Sequence, residues 1–252
     1  EAKYYPCLFD HEFIPQVADL EALVDDRTVA ILYNFPSNPT GGTLNEQQRD
    51  DLLAFAAKHD LWIISDEVYD RIVFETEHVS FMGTGYDKLM VVNSFSKTFA
   101  MTGWRIGYIV STNLEAMKQV VKIQYYISAC SNDAMQYAVL EAMEKANDYP
   151  SMMATEFQKR CKLIVDRLNA MPGVQCHQPK GSIYVFPKVD VPGMSSEDVA
   201  LELLKDGVLC SPGSAFGPSG EGHLRFAYTI GQDDIARGMD KVEATLTRLQ
   251  QG

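Results

Sequence analysis

Basic side chains are scarce in this 252-residue chain: 22 Lys and Arg stand against 34 Asp and Glu, for a formal net charge of −12. A protein that grips a phosphate backbone does so with clustered Lys and Arg that displace counterions, so no nucleic-acid partner is expected. Long apolar runs are missing too. None approaches the roughly 20 residues that a membrane-spanning helix needs, so no membrane association is expected and the protein reads as soluble. Cysteine is sparse. Cys7, Cys130, Cys161, Cys176 and Cys210 are scattered, odd in number and never in C-x-x-C spacing. That argues against both a disulfide framework and a zinc site, and for free thiols in a reducing cytoplasm. The five histidines are isolated, without the spacing of metal ligands. The opening EAKYYPCLFDHEF has no basic segment followed by an apolar core, so no secretory signal is expected.

What is present is a globular composition, 46% hydrophobic and 22% charged, in a chain long enough to bury a core. Residues 28–34, TVAILYN, form a short β-branched and apolar run of the kind buried on both faces of a parallel sheet. The run ends in FPSNPTGG, a Pro and Gly cluster that must be a loop. Asn45 then caps a helix with Gln48 as the return partner, and Leu52, Leu53 and Ala56 share a face. LWIISDE from Leu61 and LMVVNS over 89–94 read as a second and a third buried strand. Strands separated by crossovers imply a parallel α/β sheet.

Beyond these strands the pattern turns helical. Leu114, Met117, Val121 and Tyr125 follow helical spacing, as do Met153, Phe157, Cys161, Ile164 and Leu168. GSIYVFPKV, a helix over about 195–206, VLCSPGSAFG and HLRFAY come next. A closing helix carries Ile235, Met239, Val242, Leu246 and Leu249. The expected fold is therefore α/β: a large domain over 1–160 built on a mostly parallel sheet, plus a smaller α+β domain over 161–252. Gly213 and Gly217 lack the following helix with Lys and Ser/Thr that a phosphate loop requires, so they read as a loop of the second domain.

In an open parallel sheet, ligands bind beyond the carboxyl ends of the strands. The first strand delivers Asn38 there on its loop, the second Asp66 and Tyr69, and the third Ser94, Ser96 and Lys97. A sheltered lysine loses its proton more readily and becomes a nucleophile able to form a Schiff base with a carbonyl. An aspartate can pair with a protonated pyridine nitrogen, while hydroxyls and Arg105 bind a phosphate. Together these describe a site for pyridoxal 5'-phosphate.

Four stretches in order, NPTGG at 38–42, SDEVYDRIVF at 65–74, SFSKTFAMTGWRIGY at 94–108 and HLRFAY at 223–228, closely resemble the class I and II aminotransferases, the fold type I pyridoxal phosphate enzymes. The resemblance runs over nearly the whole chain. It implies that Lys97 holds the cofactor as a Schiff base and shuttles the substrate proton, and that Asp66 pairs with the pyridinium. It further implies that Asn38 and Tyr69 bond the phenolic oxygen, that Ser94, Ser96 and Arg105 lie at the phosphate, and that Arg225 clamps the substrate carboxylate. An L-amino acid and a 2-oxo acid would be the substrates, and a homodimer in the cytoplasm the working form. A β-lyase or decarboxylase on the same scaffold is the rival chemistry, and a cofactor-dead interaction domain the rival class. The absence of arginine over 106–159 leans the donor toward neutral or aromatic amino acids. The resemblance also implies a preceding segment with a phosphate loop, a ring-stacking aromatic, an N-terminal arm and an interface tyrosine. None of these is found in the 252 residues, so the sequence is expected to be a piece of a longer enzyme.

Overall fold

The computed structural model describes residues 1–251. Contacts group the chain into two compact units. One comprises Glu21–Pro36 and Thr43–Ala154; the other comprises Glu1–Leu20, Ser37–Gly42 and Thr155–Gly252. Among the described residues, 161–251 fall in the second unit, which also takes in Thr155 to Arg160 and the two N-terminal pieces. Helix α1, Val17–Leu23, straddles the first boundary.

The sheet unit is built on β1 (Ala30–Asn34), β2 (Trp62–Asp66), β3 (Leu89–Ser94) and β4 (Gly107–Val110), in that spatial order. β1, β2 and β3 are parallel, with Asn34 opposite Asp66 and Asp66 opposite Val92. The expected mostly parallel sheet is therefore present. β4, to which the sequence reading assigned no element, adds antiparallel to β3 with Gly107 opposite Ser94. A Cβ on Gly107 would sit 2.7 Å from the Asn93 carbonyl, so only glycine lets the two backbones meet. Between β1 and β2 runs α2 (Glu46–Lys58), opened by the expected capping box. Asn45 Oδ1 accepts from Gln48 N at 2.8 Å, and Gln48 Oε1 accepts from Asn45 N at 2.9 Å. Leu52, Phe55 and Ala56 form its buried face. After β3 come the four-residue α3 (Phe95–Thr98), then α4 (Leu114–Ser128) and α5 (Asp133–Lys145). α4 has the expected helical period but buries none of its residues.

α6 (Tyr149–Asn169) leads into the second unit and buries Cys161, Ile164 and Leu168 there. The short strands β5 (Val174–Gln175), β6 (Tyr184–Val185) and β7 (Lys188–Val189) follow, with β5 paired to β7. α7 (Ser196–Lys205) is capped by Ser195, and β8 (Ser211–Pro212) and β9 (Leu224–Ala227) complete a three-stranded sheet in the order β6, β9, β8. α8 (Gln232–Gln250) closes the chain, its Ile235, Met239, Val242 and Leu246 buried at the expected spacing. Among the described residues, no helix is long and apolar enough to cross a membrane, and all five cysteines are free thiols.

Candidate active site

In the sheet unit, chemistry-bearing residues gather where β2 and β3 end. Asp66 closes β2, and its carbonyl accepts from Asn34 Nδ2 at 3.1 Å and from Phe35 N at 3.2 Å, which fixes the strand end. Its side chain turns back on the chain, with Oδ1 accepting from Val68 N at 3.2 Å. Burial pushes the Asp66 carboxyl above its ordinary value, an effect that the Val68 hydrogen bond opposes and the neighbouring Glu67 reinforces. Among the described residues no cation pairs with it. A half-buried acid without a counterion suits a ligand that brings a positive charge.

Lys97 sits in α3, the first turn after β3. Ser94 caps that turn: its Oγ accepts from Ser96 N at 3.1 Å and donates to the Ile106 carbonyl at 3.0 Å. The Ser96 hydroxyl lies 2.9 Å from Ser94 Oγ, and Ser96 is buried. Lys97 Nζ stands 5.8 Å from the ring centroid of the buried Tyr69, within cation–π range. No carboxylate pairs with Lys97 among the described residues. Arg105 adopts a left-handed backbone (φ 57°), is exposed, and donates from Nη1 to the Thr102 carbonyl at 2.8 Å. The unit thus brings Tyr69 to Lys97 and Ser94 to Ser96, while the Arg105 guanidinium folds onto its own turn.

Sequence reasoning missed the acid beside Asp66. Glu67 is buried, and Oε1 accepts from Ser65 Oγ at 2.9 Å and Phe81 N at 3.1 Å, while Oε2 accepts from His78 Nε2 at 2.8 Å. Burial alone would raise the Glu67 carboxyl, but hydrogen bonds from His78, Ser80 and Ser65 outweigh it and hold the group below its ordinary value. Three acids within the five residues DEVYD were the available signal.

Asn38 and Arg225 belong to the other unit. The Asn38 loop is closed by Gly41 N donating to the Ser37 carbonyl at 2.9 Å and Ser37 N to the Gly42 carbonyl at 2.9 Å. Lys180 N and Gly181 N both donate to the Gly41 carbonyl, at 3.0 and 3.1 Å. Gly41 has φ +71°, and a Cβ there would lie 2.5 Å from the Pro179 side chain, so the second-to-last residue of NPTGG must be glycine. Arg225, on β9, donates from Nη1 to Asn38 Oδ1 at 3.0 Å and from Nη2 to Ser211 Oγ at 3.0 Å. Its guanidinium carbon stands 4.5 Å from the Tyr184 ring centroid and 4.8 Å from that of Phe216. No carboxylate pairs with it among the described residues. Two of its five N–H groups are engaged by neutral oxygens, leaving an in-plane edge suited to a carboxylate.

The donor set fits pyridoxal phosphate in its chemistry: an amine and a half-buried acid that have no ion-pair partner among the described residues, a neighbouring phenol, and hydroxyls at a strand end. The sequence profile of the family described as "Aminotransferase class I and II" matches residues 1–242. The chain is 35% identical to the aspartate aminotransferase of Pyrococcus abyssi over 247 residues, 96% of this chain and 63% of that protein. It is 34% identical to aromatic-amino-acid aminotransferase 2 of Thermococcus litoralis, again over 96% of this chain and 63% of that protein. Among solved structures, the aromatic aminotransferase from Pyrococcus horikoshii superposes with a TM-score of 0.92 at 34% identity, covering 97% of this chain and 66% of that one. The alanine aminotransferase from Pyrococcus furiosus gives 0.92 at 29%, covering 98% and 65%. The chain spans about 63% of the length of the curated relatives it matches.

Proposed function

Because the chain belongs to the class I and II aminotransferases, we propose that it binds pyridoxal 5'-phosphate at Lys97 and moves an amino group from an L-amino acid to a 2-oxo acid. The observation that carries this reading is Lys97 itself, an amine on the turn after β3, over the Tyr69 ring and with no acid beside it among the described residues. An ion pair would hold the amine away from a carbonyl; among the described residues Lys97 forms none. When bound, the cofactor supplies an electron sink that eases loss of the substrate Cα proton.

This chain's own residues do the rest. Nζ of Lys97 would hold the cofactor through its carbonyl group and, with a substrate amine bound in its place, would accept and return the Cα proton. Asp66, whose anionic form burial disfavours, would pair with the ring's protonated nitrogen, and that charge would offset the cost of burial. The Tyr69 hydroxyl and the Asn38 amide donate toward the phenolic oxygen. Ser94, Ser96 and Arg105 serve the phosphate, for which the Arg105 guanidinium gives up its bond to Thr102. Arg225 takes the substrate α-carboxylate on its free edge.

The working form is a homodimer. α4 buries no residue and leaves Val121 at 64% and Tyr126 at 77% exposure; α5 adds exposed Tyr137, Leu140 and Met143. An apolar surface of this extent is characteristic of protein–protein contact. A reducing cytoplasm suits thiols such as Cys161 and Cys176, which burial pushes up to about 12.

The test is to incubate the cofactor-loaded protein with an amino donor and 2-oxoglutarate, then reduce it with borohydride and map the labelled peptide. Glutamate formation with label on Lys97 supports the reading. Pyruvate and ammonia in its place would assign the β-lyase chemistry, and label at another residue would remove Lys97 from its role.

A further inference from the structure

The environment of Arg225 carries an assignment beyond its own. In the three-stranded sheet Ser211 is directly opposite Arg225, and Tyr184 is opposite Ala227, two residues along β9. Directly opposed and diagonal cross-strand neighbours share a face, so the register aligns Tyr184, Arg225 and Ser211 in one row. Ser211 takes an N–H of Nη2 at 3.0 Å, Asn38 takes one of Nη1 at 3.0 Å, and the guanidinium carbon lies over the Tyr184 and Phe216 rings, 4.5 and 4.8 Å from their centroids. Phe216 is fixed in turn: it packs edge-on against Phe186 at 5.9 Å and 86°, and the buried Phe186 stacks on His223 at 5.0 Å and 11°. The turn that presents Phe216 is pinned where Gly213 and Gly220 meet, since a Cβ on either would lie about 2 Å from the other's backbone (1.9 and 2.0 Å).

We infer that Tyr184 and Phe216, together with Ser211, are positioning residues that hold the Arg225 guanidinium with its free edge open to a carboxylate. The inference rests on the reading of Arg225 as the carboxylate clamp. A guanidinium bonds only in its plane, while its weakly hydrated faces stack on aromatic rings. Ring contacts therefore fix the plane without consuming an N–H, and two neutral oxygens fix the rotation within it. Ordinarily a half-buried arginine is held by an acid. Here neutral groups hold it, so orientation is settled and charge is left for the substrate. A clamp oriented before binding loses less freedom when the carboxylate arrives, so its effect falls on affinity.

The experiment titrates 3-phenylpropionate, a monocarboxylate with no amino group, into the protein by calorimetry, with and without cofactor, beside steady-state kinetics. Phe216→Leu and Tyr184→Leu are each expected to weaken the ligand by about tenfold. They raise KM for donor and oxo acid by a similar factor, with kcat within about twofold. Phe216→Tyr and Tyr184→Phe keep the rings and restore binding. A Phe216→Leu protein that melts with the wild type and binds as tightly overturns the inference, as does a loss shared by the ring-keeping variants. If the wild type transfers no amino group yet the binding order holds, the proposed function falls and the positioning role stands. Amino transfer with no such order does the reverse.

Discussion

Oδ1 of Asn38 accepts a 3.0 Å hydrogen bond from Nη1 of Arg225 across 187 residues of chain. The contact ties the loop after β1 to strand β9 within one unit. An ammonium in place of the guanidinium cannot form the planar fork or lie across two rings. Arg225→Lys is expected to lose roughly 2 kcal/mol of carboxylate binding, about thirtyfold in kcat/KM. The loss appears in KM for donor and oxo acid alike, measured with saturating cofactor. Equal KM values in wild type and variant would remove Arg225 from the clamp.

Lys97→Ala removes the only group proposed to make a covalent bond. Because Lys97 is half-buried and forms no ion pair among the described residues, its loss is expected to change stability by no more than about 0.5 kcal/mol. Amino transfer is expected to disappear, along with the borohydride label. Intact mass after reduction reads the label, and a melting curve reads the stability.

Much of this framework was legible in sequence, for physical reasons. Short apolar runs marked β1, β2 and β3, but the burial on both faces expected of them is not seen: β2 and β3 fully bury only alternate residues, and β1 exposes Ala30 and Leu32. A capping box is a local geometry, which marked Asn45 and Gln48. β4 was passed over although Tyr108, Ile109 and Val110 form a short apolar run: its glycine serves a backbone approach that only strand register reveals. The grouping of Glu1–Leu20 and Ser37–Gly42 with the C-terminal half depends on contacts far apart in sequence, such as Lys180 and Gly181 on Gly41. Lys97, Asp66 and Arg225 stood out because their chemistry is rare in those settings. Tyr184, Ser211 and Phe216 did not, since an aromatic ring or a hydroxyl gives no sign of what it holds until strand register is known.

Asp66 gives a prediction in pH. Burial raises its folded pKa above the ordinary 3.8, so the unfolded chain ionises first. In the cofactor-free protein, stability contributed by this group therefore falls as pH rises from 3.8 to the higher folded value, and stays reduced above it. Asp66→Asn removes that penalty. The cofactor-free variant is expected to be at least as stable as wild type at pH 7, with the difference vanishing below pH 3.8. Its affinity for pyridoxal phosphate is expected to drop, since the ring nitrogen loses its counterion. Urea unfolding at the two pH values and a cofactor titration check both halves; a less stable variant at pH 7 would contradict the first.

Glu67 has the opposite sign. Its folded pKa lies below the ordinary 4.5, so its stabilisation is complete above that value and is lost as pH falls through the folded pKa. Glu67→Ala leaves Ser65 Oγ, Phe81 N and His78 without their acceptor in a site where Glu67 is only 3% exposed. A loss of about 3 kcal/mol is expected at pH 7, shrinking in acid. Denaturant midpoints at pH 7 and pH 4 measure it, and a loss independent of pH would assign the effect to packing.

The two long helices α4 and α8 share an apolar period but differ in what they bury, and this separates folding from association. On α8, Leu246 is 2% exposed, so Leu246→Ala removes buried methyl groups and leaves a cavity, at a cost of about 3 kcal/mol. On α4, Val121 and Ile127 are exposed at 64% and 74%, so charging them removes little buried surface. Val121→Lys with Ile127→Lys is expected to alter chain stability by under about 1 kcal/mol at low protein concentration. If those side chains belong to the proposed dimer interface, the same pair of lysines sets like charges against each other across it. Sedimentation velocity is then expected to show the double variant as monomer at concentrations where the wild type is a dimer, with amino transfer falling in step. A double variant that sediments with the wild type would move the interface elsewhere on the surface.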